Sequence, residues 1–155
     1  MKITKLGHCC LLIEEKGVHI LTDPGAWTTA QNQITGINII LITHEHPDHF
    51  HLESLQAVLK NNPAAAVITN RGVGELMKKA GLEFELLEHG QQKDVRGVSL
   101  EGHGEDHALI YPGVPPVVNT GYMIANRFYY PGEALYKPKK PNENFVLSAG
   151  HAGVA

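Results

Sequence analysis

The stretch LITHEHPDHFH, Leu41 to His51, sets four histidines and an aspartate between an apolar, β-branched run and an amphipathic one. Ile37–Ile42 is continuously apolar, as a strand buried on both faces requires. Downstream, Leu52, Leu55, Val58 and Leu59 recur at helical spacing, and Asn61-Asn62-Pro63 stops that helix. The cluster therefore lies at the carboxyl end of a buried strand, where α/β sheets place their sites. His44 and His46 are two residues apart, so in extended backbone both imidazoles project to one side and can grip one ion. Pro47 turns the chain, so Asp48 and His49 can address a second position beside the first. Imidazole and carboxylate suit zinc, and also iron or manganese. Two metals in one site stand about 3.5–4 Å apart and clamp attacking and leaving oxygens. So dense a set of ligand types has no obvious use in a solvated loop. His51 reads as a bystander at the helix that follows.

Outward from the cluster, the first forty residues read as strands Lys2–Leu6, Cys10–Glu14 and Val18–Thr22, with EEKG supplying a hairpin turn. TDPGAW breaks the pattern, because Asp-Pro-Gly is strong turn chemistry. Beyond the cluster the reading is a strand Ala64–Thr69, a short helix Gly74–Ala80, and strands Phe84–Leu87 and Val95–Leu100. A loop EGHGEDH, a short strand HALI and the proline-rich YPGVPPVVN follow. Strands Gly121–Ala125 and Arg127–Tyr130 and a last apolar run, Phe145–Leu147, complete the chain. Many strands with two helices placed between them indicate a layered α/β sandwich.

The composition fits one domain over residues 1–155. A formal charge of −3 offers no electrostatic reason for a nucleic-acid or anionic-membrane partner. No segment approaches the roughly 20 apolar residues of a membrane span, and the N-terminus has no signal-peptide character. Cys9 and Cys10 are adjacent, and neighbours in a strand point to opposite faces. An internal disulfide is not expected, and a reducing, cytoplasmic setting is. Of the ten histidines, His19 and His89 read as incidental, one on a half-buried strand and one in a turn.

THEHPDHF matches the HxHxDH signature of the metallo-β-lactamase superfamily, with His44, His46, Asp48 and His49 in its four positions. LGHCCLLIE, LTDPG and NTGYMI…FYYPGEAL resemble the branch of metal-dependent hydrolases related to ascorbate-6-phosphate lactonase. The resemblance covers nearly the whole chain. It implies a four-layer αββα sandwich with a binuclear site between its sheets. His44 and His46 would bind one metal with a third histidine, and Asp48 and His49 the other, with a metal-bound hydroxide as nucleophile. His107 is favoured as the third histidine because it precedes a strand; His103, among glycines, is the competitor. Asp23 would orient a liganding imidazole, or simply form an Asx-turn. His8 would line the pocket, or simply be a packed strand-end histidine.

Two departures from the family pattern stand out. Glu133 replaces the aspartate that bridges the metals, and a glutamate there can bridge, bind one ion or swing out. The chain also ends before the last histidine of the family pattern, and His151 is in a different setting. The sandwich is accordingly expected with an incomplete second half, closed by a homodimer. One zinc is expected to be tightly held and the second weak or absent, with manganese or iron as alternatives. The activity implied is hydrolysis of a small ester, lactone or phosphodiester, with Asp48 taking a proton. The competing reading is a truncated, non-catalytic metal-binding or assembly module of the same fold.

Overall fold

Lys16 and Gly17 close a hairpin with both residues at positive φ, 50° and 77°, the geometry whose twist matches that of the flanking strands. The computed structural model describes residues 1–107, 117–134, 136–139 and 144–145. The hairpin joins β2 (Cys10–Glu15) to β3 (Val18–Thr22), and β1 (Lys2–Gly7) pairs with β2 on its other side. β4 (Ile39–Leu41), β5 (Ala66–Thr69) and β6 (Glu85–Leu86) extend this sheet in parallel from β3, giving the order β1-β2-β3-β4-β5-β6. The crossovers carry α1 (Leu52–Asn61) and α2 (Arg71–Lys79).

The second sheet has the order β11-β10-β9-β8-β7, from β7 (Gln92–Val95), β8 (Val98–His103), β9 (Gly121–Ile124), β10 (Phe128–Tyr130) and β11 (Asn144–Phe145). The single strand expected over Val95–Leu100 is instead a tight hairpin. Arg96 and Gly97 adopt φ of 55° and 82°, which reverses the chain between β7 and β8. β8 also continues through Glu101–His103, a segment that reads as loop because of its glycines. The first buried strand is shorter than its apolar run, Ile39–Leu41 rather than Ile37–Ile42. The strand expected after His107, most of the proline-rich stretch, most of the last apolar run and His151 lie outside the described residues.

Two apolar layers hold these parts together. Leu11, Ile13, Ile20, Ile39, Leu41 and Ile68 of the first sheet meet Leu100, Tyr122, Ile124, Phe128 and Tyr130 of the second. On the opposite face of the first sheet, Cys10, Leu21, Ile40 and Val67 pack against Leu55 and Val58 of α1 and Val73 and Met77 of α2. Alternation along each strand divides its side chains between the layers. The described residues thus form helices, sheet and sheet in sequence. None of their helices is long and apolar enough to cross a membrane.

Strand direction places the site. β3 and β4 are parallel, and β1 runs with them because it is antiparallel to β2, itself antiparallel to β3. Their carboxyl ends therefore share one edge. In the second sheet β8 and β10 are both antiparallel to β9, so their carboxyl ends also coincide. The residues that follow these five strands meet at one end of the sandwich.

Candidate metal centre

His44, His46 and His107 form a triangle of imidazoles, with each pair of ring centroids 4.7 Å apart. One donor atom from each, with one from Glu133, lies within 4.8 Å of every other. A second group with the same spacing comprises His8, Cys9, Asp48 and His49. Glu133 reaches from one group to the other. Its Oε2 accepts from His107 Nε2 at 2.7 Å and stands 3.8 Å from His44 Nε2, and its Oε1 stands 3.7 Å from His49 Nε2. A chain of donors thus runs across the mouth of the sandwich.

The backbone delivers these groups by identifiable means. Thr43, just beyond β4, is held by its carbonyl, which accepts from Thr120 N at 3.0 Å and Asn70 Nδ2 at 2.7 Å. Asn70 Oδ1 meanwhile accepts from Val73 N and caps α2, so one side chain ties helix, strand and site together. Glu133 is placed by Asn119 Oδ1, which accepts from its backbone N–H at 3.0 Å. Gly132 before it has φ 63°, and a Cβ there would lie 2.6 Å from Asn119 Oδ1 and from the Thr43 side chain. His8 and Asp23 also hold left-handed backbone, at φ 37° and 39°. Such conformations persist in non-glycine residues only when the surroundings impose them, and they gather at functional sites.

Asp23 is fully buried and organises the interior of the site. Its Oδ1 accepts from Thr43 N at 2.8 Å, and its Oδ2 from the Thr43 hydroxyl at 2.8 Å and from His49 Nδ1 at 2.6 Å. The Tyr130 hydroxyl lies 2.7 Å from the same Oδ2 and 2.6 Å from the Cys9 carbonyl. A carboxylate only accepts, so His49 Nδ1 carries the proton. The Thr43 hydroxyl hydrogen is committed to Asp23, so Thr43 Oγ1 accepts from His44 Nδ1, 3.0 Å away. Both rings therefore turn Nε2 toward the site. Those two Nε2 atoms are buried and have no hydrogen-bond partner. The Asp23 carboxylate thus contacts Thr43 and His49 rather than forming an isolated Asx-turn.

Charge follows burial and neighbours. His44 is pushed well down by burial and by the imidazoles of His49, His107 and His46. His46 is lowered for the same reasons, burial first. Burial opposes a charge on His49 too, but the Asp23 carboxylate outweighs it and lifts the ring to about 12. The hydrogen bond from His107 and the neighbouring His49 and His44 rings hold the Glu133 carboxyl well below the usual carboxylate range. The donors fit a divalent cation: converging imidazole nitrogens, the Glu133 carboxylate held ionised, and buried Nε2 atoms with no hydrogen-bond partner among the described residues.

Among the described residues, those expected at the site are brought together except the competitor His103. That ring pairs with Glu101 Oε2 at 3.2 Å and stacks on Tyr136, centroids 5.8 Å apart. His89 is in a bridge to Gly102 rather than a plain turn, and its Nδ1 accepts from Gly104 N at 3.0 Å. His8 does more than line a pocket, since its Nε2 lies 2.8 Å from Asp48 Oδ2. His51 caps α1 and bonds the Ser54 hydroxyl at 3.0 Å. Cys9, Thr43 and Asn70 are absent from the sequence-based set. Only the place of Cys9 beside His8 signalled it.

The family profile described as "Beta-lactamase superfamily domain" matches residues 2–149. A Mycobacterium tuberculosis protein, Rv0786c, is 32% identical over 143 residues, covering 89% of this chain and 66% of its own length. A UPF0173 metal-dependent hydrolase of Koribacter versatilis is 32% identical over 157 residues, covering 97% of this chain and 62% of its own. The chain therefore spans somewhat less than two thirds of the length of these relatives. A solved protein of Parabacteroides distasonis, provisionally assigned as a metal-dependent hydrolase, superposes with a TM-score of 0.67 at 25% identity, over 84% of this chain and 59% of its own. With HxHxDH at the end of β4 and the ordered flanks on both sheets, these likenesses make the chain a member of the metallo-β-lactamase superfamily.

Proposed function

We propose that this chain is the metal-binding part of a hydrolase acting on a small ester, lactone or phosphodiester. The observation that carries this reading is the pair of donor groups joined by Glu133, with unsatisfied buried Nε2 atoms of His44 and His49 turned toward it. His44, His46 and His107 would hold one metal, and Asp48 and His49 the other, with Glu133 between them. A metal held by these residues would supply polarisation of a carbonyl or phosphoryl oxygen and a water acidic near neutral pH. In this reading Asp48 would take a proton during attack, and His8 Nε2, 2.8 Å from Asp48 Oδ2, would orient that carboxylate. Asp23 and Thr43 keep the His44 and His49 rings from turning, which fixes the donors before substrate arrives. A purely structural module has no use for this set of ligand types, which disfavours the non-catalytic reading.

Metal content per chain, with hydrolysis of a panel of esters, lactones and phosphodiesters, tests the proposal. Wild type should retain at least one transition metal and hydrolyse a member of the panel. His107→Ala should lose that metal and the activity together. Wild type free of metal after metal-replete purification would sink the reading. The mass of the same preparation in solution tests the homodimer.

A further inference from the structure

We infer that Cys9 is a metal ligand, and that His8, Cys9, Asp48 and His49 form a second metal position made entirely within the amino-terminal third of the chain. This rests on the hydrolase reading and deepens it, since that reading assigns the second metal Asp48 and His49, with Glu133 shared, and neither His8 nor Cys9.

Four observations converge. The donor atoms of these four residues lie within 4.8 Å of one another. His49 is fully buried, and its Nε2 has no hydrogen-bond partner. That Nε2 stands 3.6 Å from Asp48 Oδ2 and 3.7 Å from Glu133 Oε1, too far for hydrogen bonds. Donors about 2.0–2.1 Å from a tetrahedral ion are separated by roughly 3.4 Å, close to the 3.6 Å between His49 and Asp48, while His8 Nε2 and Asp48 Oδ2, now 2.8 Å apart, would separate slightly on binding. Finally, Cys9 and Cys10 are divided between two environments. Cys10 belongs to the apolar layer beneath the helices. Cys9 is buried yet joins neither apolar layer. The turn that presents it is anchored at its carbonyl by the Tyr130 hydroxyl at 2.6 Å and the Thr22 hydroxyl at 3.3 Å, and His8 beside it has left-handed backbone, φ 37°.

The chemistry follows from the donor set. Two imidazoles, a carboxylate and a thiolate favour zinc, iron(II) or cobalt(II) over magnesium or manganese, because sulfur is a soft ligand. On coordination the Cys9 thiol gives its proton to solvent and the sulfur lone pair to the metal, with no change of oxidation state. The second position therefore needs no histidine from the far end of the chain, and its affinity is higher than Asp48 and His49 alone would give.

Cobalt(II) titration of the metal-free full chain provides the test. The expected result is two equivalents bound, one of them accompanied by the near-ultraviolet charge-transfer absorption of a cobalt–thiolate bond. Cys9→Ser and Cys9→Ala should abolish that band and weaken one equivalent about 10- to 100-fold. The other equivalent should keep its visible bands, which also shows that the variants are folded. Cys10→Ala should retain the band, and His8→Gln should keep it while weakening the same equivalent. Cobalt bound by wild type without the band, or a band surviving in Cys9→Ser, overturns the inference and leaves the hydrolase reading standing. No cobalt bound by wild type overturns both.

Discussion

Asp23 Oδ2 accepts the Nδ1 proton of His49 at 2.6 Å, and through the Thr43 hydroxyl the same carboxylate sets the tautomer of His44. One buried residue thereby aims a ring into each of the two donor groups. The consequences can be measured without knowing the substrate.

Asp23→Asn replaces an oxygen acceptor with an amide whose nitrogen cannot accept from His49 or Thr43. Metal affinity should fall about 10- to 100-fold, the usual effect of losing a group that orients a ligand. Competition with a chromophoric chelator measures it. Asp23→Ala should in addition destabilise the protein by about 3–5 kcal/mol, since a buried ionic partner is removed, read from urea unfolding.

His103 distinguishes a metal-bearing triangle from a neighbouring histidine. Its ring is occupied with Glu101 and Tyr136, so His103→Ala should retain the wild-type metal content by elemental analysis. Loss of metal in that variant, matching His107→Ala, would contradict the triangle of His44, His46 and His107.

Gly132→Ala tests how Glu133 is aimed. The new methyl would meet Asn119 Oδ1 and Thr43 at 2.6 Å, on a backbone with φ 63°. Overpacking and strain together should cost about 1–3 kcal/mol, and Thr43 and Glu133 cannot both keep their places. A lowered melting temperature accompanied by weaker metal binding is expected. A lowered melting temperature with unchanged metal affinity would show that Glu133 is not held by this turn.

The metal-free protein should show an asymmetric pH profile. His44 and His46 are lowered from 6.5 by burial and by neighbouring imidazoles. In this range the unfolded chain binds protons that the native state does not, so stability falls as pH drops below 6.5, by on the order of 1 kcal/mol per pH unit at most for each group. Glu133, lowered from 4.5, adds to the loss below that pH. His49 acts oppositely: raised to about 12, it stabilises fully below 6.5 and loses its contribution as pH rises toward 12. Melting temperature against pH should fall on both sides of neutrality, and His44→Gln should flatten the acid limb. An acid limb unchanged in that variant would refute the assignment.

The sequence by itself determined what is local. His44, His46, Asp48 and His49 lie within six residues at the end of an apolar run, and spacing along one backbone is enough to show that they can share metal. The hairpin at Lys16-Gly17 and the amphipathic α1 were legible for the same reason, since turn chemistry and periodicity act over a few residues. The hairpin at Arg96-Gly97 was missed because Val95 to Leu100 also reads as one strand, and only pairing with β7 and β9 decides between the two. The sequence favoured His107 over His103 without fixing where either ring lies; tertiary structure carries His103 to Glu101 and Tyr136 on β8 and brings His107 beside His44 and His46. Tertiary structure also brought Glu133 to the end of the sandwich that holds Cys9 and Asp23, each over 100 residues earlier in the chain. The cause is strand direction: β1, β3 and β4 in one sheet and β8 and β10 in the other end on the same edge, and no pattern within one strand records where another ends.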